Sequence, residues 1–201
     1  MSVLPPGGTK GTPRAEREKQ IVRAATAEFG VHGYAAGSLS SVADAVGISR
    51  TLIYQYFGSR DGLYQHCLEQ FGEQFYREIH LAMRAAPDPA GVFIAALEAI
   101  FTALQDQRHA WTLLYDQTLP PESPVMGAAR LYRRRIRELA SKGTAELLRE
   151  RGHDNATDLS ALTQIWMGVV TSLVTWWGTH PEETAADMVW RCRRLAETLL
   201  A

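Results

Sequence analysis

Four polar side chains between residues 50 and 55 are spaced to share one side of a helix. Arg50, Thr51, Tyr54 and Gln55 fall together at a rotation of about 100° per residue. The apolar side chains among them gather on the opposite side, namely Leu52, Ile53, Tyr56 and Phe57. A guanidinium matches the edge of guanine, a carboxamide matches adenine, and hydroxyls suit phosphate oxygens. One face is therefore predicted to pack and the other to contact the major groove of DNA.

The flanking residues specify two short helices with a corner between them. Ser38 and Ser49 are preferred N-cap residues, Ile48 and Ile53 have the spacing of a hydrophobic staple, and Gly47 gives the corner its backbone freedom. This arrangement is typical of a helix-turn-helix, whose second helix enters the major groove. Two short helices of an ordinary all-α core have the same pattern, so the local sequence leaves both interpretations open.

The rest of the chain predicts helices and no strand. Amphipathic patterns indicate helices over 14–32, 59–86, 92–105, 108–117, 125–151 and 157–179, and from Pro181 onward. Gly143 is expected to weaken or bend the helix that contains it. We therefore expect an all-α protein with a flexible tail over 1–13, a three-helix DNA-binding domain over 14–58, and a larger helical ligand-binding and dimerisation domain over 59–201, joined by the long helix that starts at residue 59.

Composition limits the possible functions. The 201 residues carry a net charge of −1, so any affinity for DNA must come from a local surface. Residues 1–62 hold seven Lys plus Arg against five Asp plus Glu, which is a weak asymmetry of the right sign. Cys67 and Cys192 fall on apolar helical stripes and are predicted to be buried free thiols. No signal segment or uninterrupted apolar span of about 18 residues occurs, so we expect a cytoplasmic protein without membrane contact.

Residue patterns typical of catalysis are missing from the sequence. No HExxH, GxSxG or phosphate-loop motif occurs, and the six histidines are scattered. His109 and Asp116 lie seven residues apart on one short predicted helix, where such lone polar residues are more often solvent contacts or satisfied core groups. We expect that the protein is not an enzyme and that it binds neither a metal nor a cofactor.

The two C-terminal helices carry more apolar surface than one core requires. The apolar side chains of 157–179 cover an arc near 200°. We predict that two copies pair through these helices as an isologous four-helix bundle. The side chains proposed for the interface are Leu173, Trp176, Trp177, Val189 and Trp190.

Residues 14–64 resemble the DNA-binding domain of the TetR family of bacterial repressors. The matching positions are Phe29, Gly33-Tyr34, Ser38-Leu39, Val42-Ala43, Gly47-Ile48-Ser49, Tyr54, Tyr56-Phe57, Ser59-Arg60 and Leu63. The resemblance implies that Ser38 and Ser40 or Ser41 meet phosphate, that Arg50, Thr51 and Gln55 face bases, and that Tyr54 and Tyr56 lie near the DNA backbone. The helical projection places Tyr56 at the edge of the core, so that only its hydroxyl reaches outward. Arg60 stands where the family usually has Lys, and it could hold a phosphate. Leu52 stands where the family commonly has a small Thr.

The same resemblance implies a mechanism. A ligand that enters a cavity among the fourth to eighth helices would move the helix over 59–86 and change the separation of the two recognition helices, weakening their grip on half-sites about 34 to 36 Å apart. The predicted partners are thus a double-stranded operator, a second copy and an apolar or aromatic small-molecule effector. Candidate pocket residues are Phe75, Ile79, Phe101, Trp111, Tyr115, Tyr132 and Trp166, each of which could instead simply fill the core.

Two other functions fit the sequence. The chain could be an all-α ligand carrier or enzyme with structural N-terminal helices, or a helix-turn-helix protein whose larger domain binds a protein. The basic run from 130 to 137 could be a second nucleic-acid patch or an anion clamp, although a solvated face paired with nearby acids is favoured; it contains Arg130, Arg133, Arg134, Arg135 and Arg137.

Overall fold

The computed structural model describes residues 12–200, and this part of the chain is all-α without a strand, as predicted. Residues 1–11, most of the predicted tail, lie outside the described residues. The helices are α1 Arg14–Ala36, α2 Leu39–Val46, α3 Arg50–Phe57, α4 Arg60–Ala85, α5 Pro89–Leu104, α6 Ala110–Tyr115, α7 Pro124–Glu150, α8 Ala156–Gly178 and α9 Ala185–Leu200. The first three helices and the start of α4 form the N-terminal end, and the remaining helices pack around the rest of α4.

Three serines fix where α2, α3 and α4 begin. The hydroxyl oxygens of Ser38, Ser49 and Ser59 accept hydrogen bonds from the backbone N–H three residues later, at 3.3, 3.2 and 2.9 Å. Such caps satisfy backbone donors that have no partner inside the helix. Gly47 closes α2 with φ 70°, a conformation that glycine adopts without a steric penalty. The helix-turn-helix is therefore specified by its local sequence.

Two glycines and one helix start differ from the sequence predictions. Gly33, expected to end the first helix, instead breaks α1 with φ 71° and ψ 179°, and helical turns continue to Ala36. Gly143 does not interrupt α7; it allows α7 to approach α4 and α5, because a Cβ there would lie 3.1 Å from Met83 Cε. The last helix begins at Ala185 rather than Pro181, since Thr184 and Asp187 hydrogen-bond reciprocally in a capping arrangement.

A single apolar core runs through the described residues from Ile21 on α1 to Cys192 on α9. The long helix α4 contributes to both ends of this core. Leu63, Tyr64 and Cys67 in its first turns are fully buried against the N-terminal helices, whereas Phe75 is buried among the later ones. The predicted domain limit at residue 58 thus falls between α3 and α4, but the core continues across it.

Gly72 marks the closest crossing of α4 and α7. A Cβ at this position would lie 2.6 to 2.9 Å from ring carbons of Tyr132, so Gly72→Ala should force the two helices apart. Overpacking of this kind costs about 1–3 kcal/mol, which urea denaturation would measure as a lower free energy of unfolding. Gly127→Ala is the matched control, because no atom lies within 4 Å of its Cβ position and alanine favours a helix. Equal stability of both variants would contradict the close crossing.

By length and composition alone, α8 is the one helix within residues 12–200 that could cross a membrane. This is weak evidence, because a core helix of a globular protein passes the same test. Only 22% of its most apolar stretch is buried within the chain, however. The helix therefore presents an exposed apolar face, which includes Ile165, Val169 and Trp176.

Candidate nucleic-acid interface and effector cavity

The side chains of α3 divide into the two predicted faces. Arg50, Thr51 and Gln55 are exposed, and Tyr54 keeps 46% of its surface accessible. Ile53 on the opposite side is fully buried. The polar face projects from a helix whose start is capped and whose back is packed, so these four side chains are presented on a rigid support.

The serines at the start of α2 remain available to phosphate. Ser40 and Ser41 are exposed, and Ser38 is half-buried. The cap uses the Ser38 oxygen as an acceptor from the Ser41 N–H, which leaves its hydroxyl hydrogen free to donate to an anion. The N-terminus of a helix also carries partial positive charge. This end of α2 is chemically suited to a DNA phosphate.

Tyr56 lies at the edge of the core, as the helical projection predicted. Its side chain is half-buried, and the guanidinium of Arg14 lies 5.0 Å from its ring centroid. Leu52 and Phe57, its apolar companions on α3, are also half-buried. The Tyr56 ring therefore packs against the edge of the core.

Arg60 departs from its predicted role at a phosphate. One guanidinium nitrogen donates to the backbone carbonyl oxygens of Tyr34 and Gly37, and the guanidinium also lies over the Tyr34 ring at 4.5 Å from its centroid. Its charge is directed at the turn between α1 and α2 rather than outward. Arg60 therefore holds this turn in place instead of extending toward a phosphate.

Asp116, at the end of α6, holds the other side of the same turn. The residue is 4% exposed, and its carboxylate accepts from the Tyr34 backbone N–H at 2.5 Å, the Tyr64 hydroxyl at 3.1 Å, and the N–H and hydroxyl of Thr118, both at 2.7 Å. The Thr118 hydroxyl also accepts from the Ala35 N–H at 3.1 Å. Asp116 is thus a satisfied buried carboxylate that links α6 to the DNA-binding end.

The pKa values in this cluster follow from its hydrogen bonds. Burial works to raise the pKa of Asp116, but the donors from Thr118, Tyr34 and Tyr64 outweigh it and hold the pKa below its usual value of 3.8. Burial, reinforced by the negative charge of Asp116, raises the pKa of the Tyr64 phenol. A hydrogen bond to Asp61 raises the pKa of Tyr34. At neutral pH the carboxylate is charged and both phenols are neutral donors.

Helix α1 rests directly on α6 through two glycines. A Cβ on Gly30 would lie 2.7 Å from the backbone oxygen of His109, and a Cβ on Gly33 would lie 3.2 Å from a carboxylate oxygen of Asp116. The two helices therefore meet closely before the start of α6, at the His109 backbone, and after its end, where the Asp116 carboxylate fits against Gly33. Helices α1 and α6 are therefore in direct contact at both places.

An apolar cavity lies among α4, α5, α6, α7 and α8, and its free volume is about 30 Å³. That is roughly the volume of one water molecule. The predicted residues Phe75, Ile79, Trp111 and Trp166 line it. The remaining lining residues were not predicted; they are Met83, Val92, Phe93, Ala96, Ile100, Ile136, Leu139, Ala140, Gly143, Met167 and Val170. Most of these occupy ordinary apolar stripe positions, so only their helical spacing could have indicated them.

Three predicted pocket residues lie outside the cavity wall. Phe101 is fully buried and packs edge-on against Trp177, with ring centroids 5.3 Å apart. Tyr132 is buried against Gly72. Tyr115 stacks behind Trp111 at 4.3 Å, and burial raises its pKa to about 12. The first two fill the core, and the third supports the wall from behind.

The far end of α6 is also tied to α7. Arg133 donates to the backbone carbonyl oxygen of Leu114 and, at 3.3 Å, to that of Asp116. A cation at a helix C-terminus satisfies carbonyls that have no partner inside the helix. Trp111 on α6 forms part of the cavity wall, and Asp116 is the C-cap residue of the same six-residue helix, so α6 connects the cavity to the Asp116 cluster.

The basic run of α7 divides among different partners instead of forming one patch. Arg135 pairs with Glu73 at 2.5 Å and Arg134 with Glu138 at 4.0 Å. Arg137 donates to Gln164, and Arg133 has the structural role just described. The pairing with nearby acids agrees with the favoured interpretation of this run.

The predicted dimer face is formed by part of the proposed set. Trp176 and Trp190 are 39% and 58% exposed, while Leu173 and Val189 are half-buried. Trp177 is wrong as an interface residue: it is fully buried and its indole N–H donates to the Glu183 carbonyl at 2.8 Å. Three further exposed apolar residues on these helices were not selected, namely Ile165, Val169 and Leu195.

The described part of the chain contains no metal-binding cluster, and its two thiols are buried. Residues 12–200 contain no group of three or more His, Cys, Asp or Glu side chains that could hold a metal ion. Cys67 and Cys192 are buried free thiols, as predicted. Burial raises the pKa of Cys67 to about 12, which leaves the thiol protonated and unreactive.

Comparison with known proteins identifies the N-terminal end. The family model for bacterial regulatory proteins of the tetR family matches residues 21–67. The chain is 29% identical over 124 residues to FasR, an HTH-type transcriptional activator of Mycolicibacterium smegmatis, covering 60% of this chain and 57% of FasR. It is 31% identical over 103 residues to HbdR, an HTH-type transcriptional regulator of Aromatoleum sp., covering 51% and 45%. The chain thus spans about half the length of these relatives.

The helical arrangement extends this similarity to the remaining helices. FadR from Bacillus subtilis, solved in complex with stearoyl-CoA, has a TM-score of 0.71 at 15% identity, covering 91% of this chain and 97% of FadR. At this identity the match shows a shared fold. The N-terminal helix-turn-helix, residues 21–67, therefore matches the family of bacterial regulatory proteins of the tetR type, and the remaining helices share the fold of such regulators.

Proposed function

We propose that this protein is a DNA-binding transcriptional regulator whose grip on a palindromic operator is released by a small apolar effector. The observation that carries the proposal is the path from the cavity to the helix-turn-helix. Trp111 on α6 lines the cavity, and Asp116 at the end of α6 accepts a hydrogen bond from the backbone N–H of Tyr34 in the last turn of α1. Base contacts from Arg50, Thr51 and Gln55, and backbone contacts from the serines of α2, would hold the DNA.

The size of the cavity supports regulation by a change in shape. A free volume of about 30 Å³ is far below the roughly 300–1,000 Å³ of ordinary ligand sites. An effector of useful size must therefore push the walls apart. Because one wall is α6, its displacement would pull on Asp116 and tilt the DNA-binding helices. The closed cavity corresponds to the operator-binding state in this proposal.

The lining favours an effector with a large apolar part. The side chains around the cavity are aliphatic, aromatic or thioether groups. FadR, which shares the fold, has been solved with stearoyl-CoA bound. We propose an apolar or aromatic effector, with long-chain acyl compounds as the first class to test. A thermal-shift screen that finds no stabilising compound in either class would favour the alternative in which the larger domain binds a protein.

Repression is the proposed direction of regulation, because a dimer released by its effector would free the DNA it covers. The matching relative FasR is named an activator. A reporter gene behind the protein's own upstream DNA distinguishes the two: deletion of the regulator raises expression under repression and lowers it under activation.

A homodimer in the cytoplasm completes the proposal. One copy of α3 contacts too few bases for specific binding, whereas two copies can occupy half-sites one helical turn apart. The exposed apolar side chains of α8 and α9 supply a surface that a second copy could cover. In this proposal a second copy of the chain, and not a membrane, covers the apolar face of α8.

Operator binding tests the proposal directly. Arg50→Ala and Gln55→Ala should each weaken binding to the chain's own upstream DNA by about 5- to 150-fold, since a bidentate base contact contributes about 1–3 kcal/mol. Gel-shift titration at fixed salt measures the effect. Arg134→Ala on α7 is the control, because its side chain is 69% exposed outside the DNA-binding end. If the wild-type chain retards no fragment at low salt, the regulator proposal fails and the ligand-carrier or enzyme alternative gains support.

A further inference from the structure

Arg14 reaches the side of α3 although it belongs to α1. It is the first residue of α1, its side chain is exposed, and its guanidinium lies 5.0 Å from the centroid of the Tyr56 ring on α3. A cation within about 6 Å of an aromatic ring centroid is attracted to the face of the ring. Because the Tyr56 ring is itself packed against the core, it gives the guanidinium a fixed support beside α3.

The charge of Arg14 is not used by the rest of the chain. Its side chain forms no ion pair and no hydrogen bond with any of the residues 12–200. Glu18, the acid one helical turn further along α1, lies 3.7 Å from His66 on α4 instead. Glu16 projects from nearly the opposite side of α1, since it is two positions away at a rotation of about 100° per residue. Arg14 is thus an exposed cation that is available to a partner outside the chain.

The position of Tyr56 on α3 places this cation at the wall of the major groove. Tyr56 follows Gln55 and lies about 100° around the helix from it, beyond the polar arc that runs from Arg50 to Gln55. A helix with its side chains is about 10–12 Å across and the major groove is about 12 Å wide, so the flanks of a helix in the groove face the phosphate backbones. Arg14 stands at such a flank. It therefore lies next to a phosphate when the polar face of α3 meets the base edges.

We propose that Arg14 binds a DNA phosphate at the side of each half-site and that the Tyr56 ring positions its guanidinium there. This inference rests on the proposed function, because it adds a contact to the same operator complex. Arg14 precedes residues 21–67, the part of the chain that the family model matches. The planar guanidinium can donate to phosphate oxygens along its edge while the ring supports its face. Since the net charge of the chain is only −1, a free cation at this surface is a substantial part of the attraction to DNA.

The salt dependence of binding tests the phosphate contact. Each neutralised phosphate contributes about 0.9 to the slope of log K against log salt concentration, so Arg14→Ala in both copies of a dimer should reduce the slope by about 1.8. Gel-shift titrations between about 50 and 200 mM salt measure the slope on the chain's own upstream DNA and on an unrelated duplex of equal length. The loss of affinity should be similar on both, because a phosphate contact carries no sequence information.

Arg23→Ala is the matched control for the phosphate contact. Arg23 is exposed on the same helix but lines a groove beside residues 105–110, away from α3, so its removal should leave the slope unchanged. Arg14→Lys keeps the positive charge and should restore most of the slope. A wild-type slope in Arg14→Ala, or a loss of affinity confined to the upstream DNA, overturns the phosphate contact.

Two substitutions of Tyr56 test whether its ring positions Arg14. Tyr56→Phe removes the hydroxyl but no charge and no aromatic face, so its slope should equal that of the wild type even where its affinity falls. Tyr56→Leu removes the face, and we expect it to reduce the slope. Adding Arg14→Ala to Tyr56→Leu should then change the slope less than Arg14→Ala does alone, because the two side chains act together. Strictly additive effects overturn the positioning role of the ring.

Two further measurements separate this inference from folding and from the proposed function. Urea denaturation should give Arg14→Ala the stability of the wild type, because the side chain is exposed. Ethylation interference with the wild-type protein should identify a phosphate in each half-site whose modification no longer weakens binding in Arg14→Ala. If the wild-type protein retards its upstream DNA but no such phosphate is found, the inference is wrong and the regulator proposal stands. If the wild-type protein retards no fragment at low salt, the regulator proposal itself fails.

Discussion

Asp116→Asn should lower the free energy of unfolding by about 2–4 kcal/mol and weaken the control of operator binding by the effector. The carboxylate accepts four hydrogen bonds from three residues, and an amide in its place has one acceptor oxygen and turns an NH₂ group toward donors. A buried donor left without a partner costs about 1–3 kcal/mol. Urea denaturation measures the loss. Asp187→Asn is the control, because Asp187 caps α9 through Thr184 at the exposed surface.

Acid denaturation should also report the hydrogen bonds of the Asp116 carboxylate, because the stability they contribute is lost as the pH falls. The folded pKa of Asp116 lies below its usual value of 3.8, so its contribution is fully present above that value and is lost as the pH falls through the lower folded pKa. The stability of Asp116→Asn should therefore depend less on pH in this acidic range than that of the wild type. A curve parallel to the wild type would show that Asp116 does not stabilise the fold through its charge.

The effect of Asp116→Asn on the coupling between effector and operator can be measured separately from its effect on stability. For each variant, the operator dissociation constant is measured with and without a saturating effector, and the ratio of the two reports the coupling free energy. Asp116→Asn should reduce this ratio, and Tyr64→Phe, which removes one donor from the same carboxylate, should reduce it by less. If Asp116→Asn unfolds more easily but retains the full ratio, the effector acts through another contact, such as the long helix α4.

Ile165→Glu combined with Trp190→Glu should convert a dimer into monomers and weaken operator binding by more than 100-fold. Both side chains are exposed, at 62% and 58%, and both belong to the proposed interface between copies. In an isologous pair each substitution occurs twice, so four carboxylates would be placed in an apolar contact. Sedimentation analysis measures the mass, and gel shift with full operator and half-site DNA measures the loss of paired binding.

Leu81→Glu provides the matched comparison, because Leu81 is 60% exposed on α4, outside the proposed interface. It should leave both mass and operator affinity unchanged. A double variant that remains dimeric would place the interface elsewhere, and a wild-type protein that is monomeric but floats with lipid vesicles would assign the apolar face of α8 to a membrane.

Features specified by neighbouring residues were predictable from the sequence. The starts of α2, α3 and α4 depend on a serine and an N–H three residues away, and the division of α3 into two faces follows from its own periodicity. Such information is contained within a few consecutive positions. The helix-turn-helix, with its polar face and its packed back, could therefore be inferred before the structure.

Features that depend on distant residues were not predictable. Trp176 and Trp177 are adjacent and equally apolar, but Trp177 is enclosed because Arg108 lies 4.3 Å from its ring and also donates to the carbonyl of Glu183. Periodicity cannot show which of two neighbouring tryptophans the chain covers with such contacts. Arg60 likewise has a plausible phosphate-binding position in the sequence, and only the nearby carbonyls of Tyr34 and Gly37 explain its inward direction.

The role of Asp116 could not be predicted from the sequence either, because its partners are distant in the chain. Its position on a short predicted helix suggested a solvent contact or a satisfied core group, and the structure shows the second. Its partners, Tyr34 and Tyr64, lie 82 and 52 residues away in the chain. A buried carboxylate with such partners links parts of the fold, and the sequence contains no local signal for that link.

The two glycines at which α1 meets α6 fit the DNA-binding end to the particular α6 of this chain. Gly30 fits against the backbone of His109 and Gly33 against the carboxylate of Asp116, so each half of the contact is shaped by the other half. A hybrid that joins residues 1–58 to the larger helical domain of another protein with this fold therefore needs a compatible loop before α6 and a hydrogen-bond acceptor after it. Recombination at the sequence boundary alone would separate these complementary surfaces, which sets a structural rule for exchanging operator specificity between such proteins.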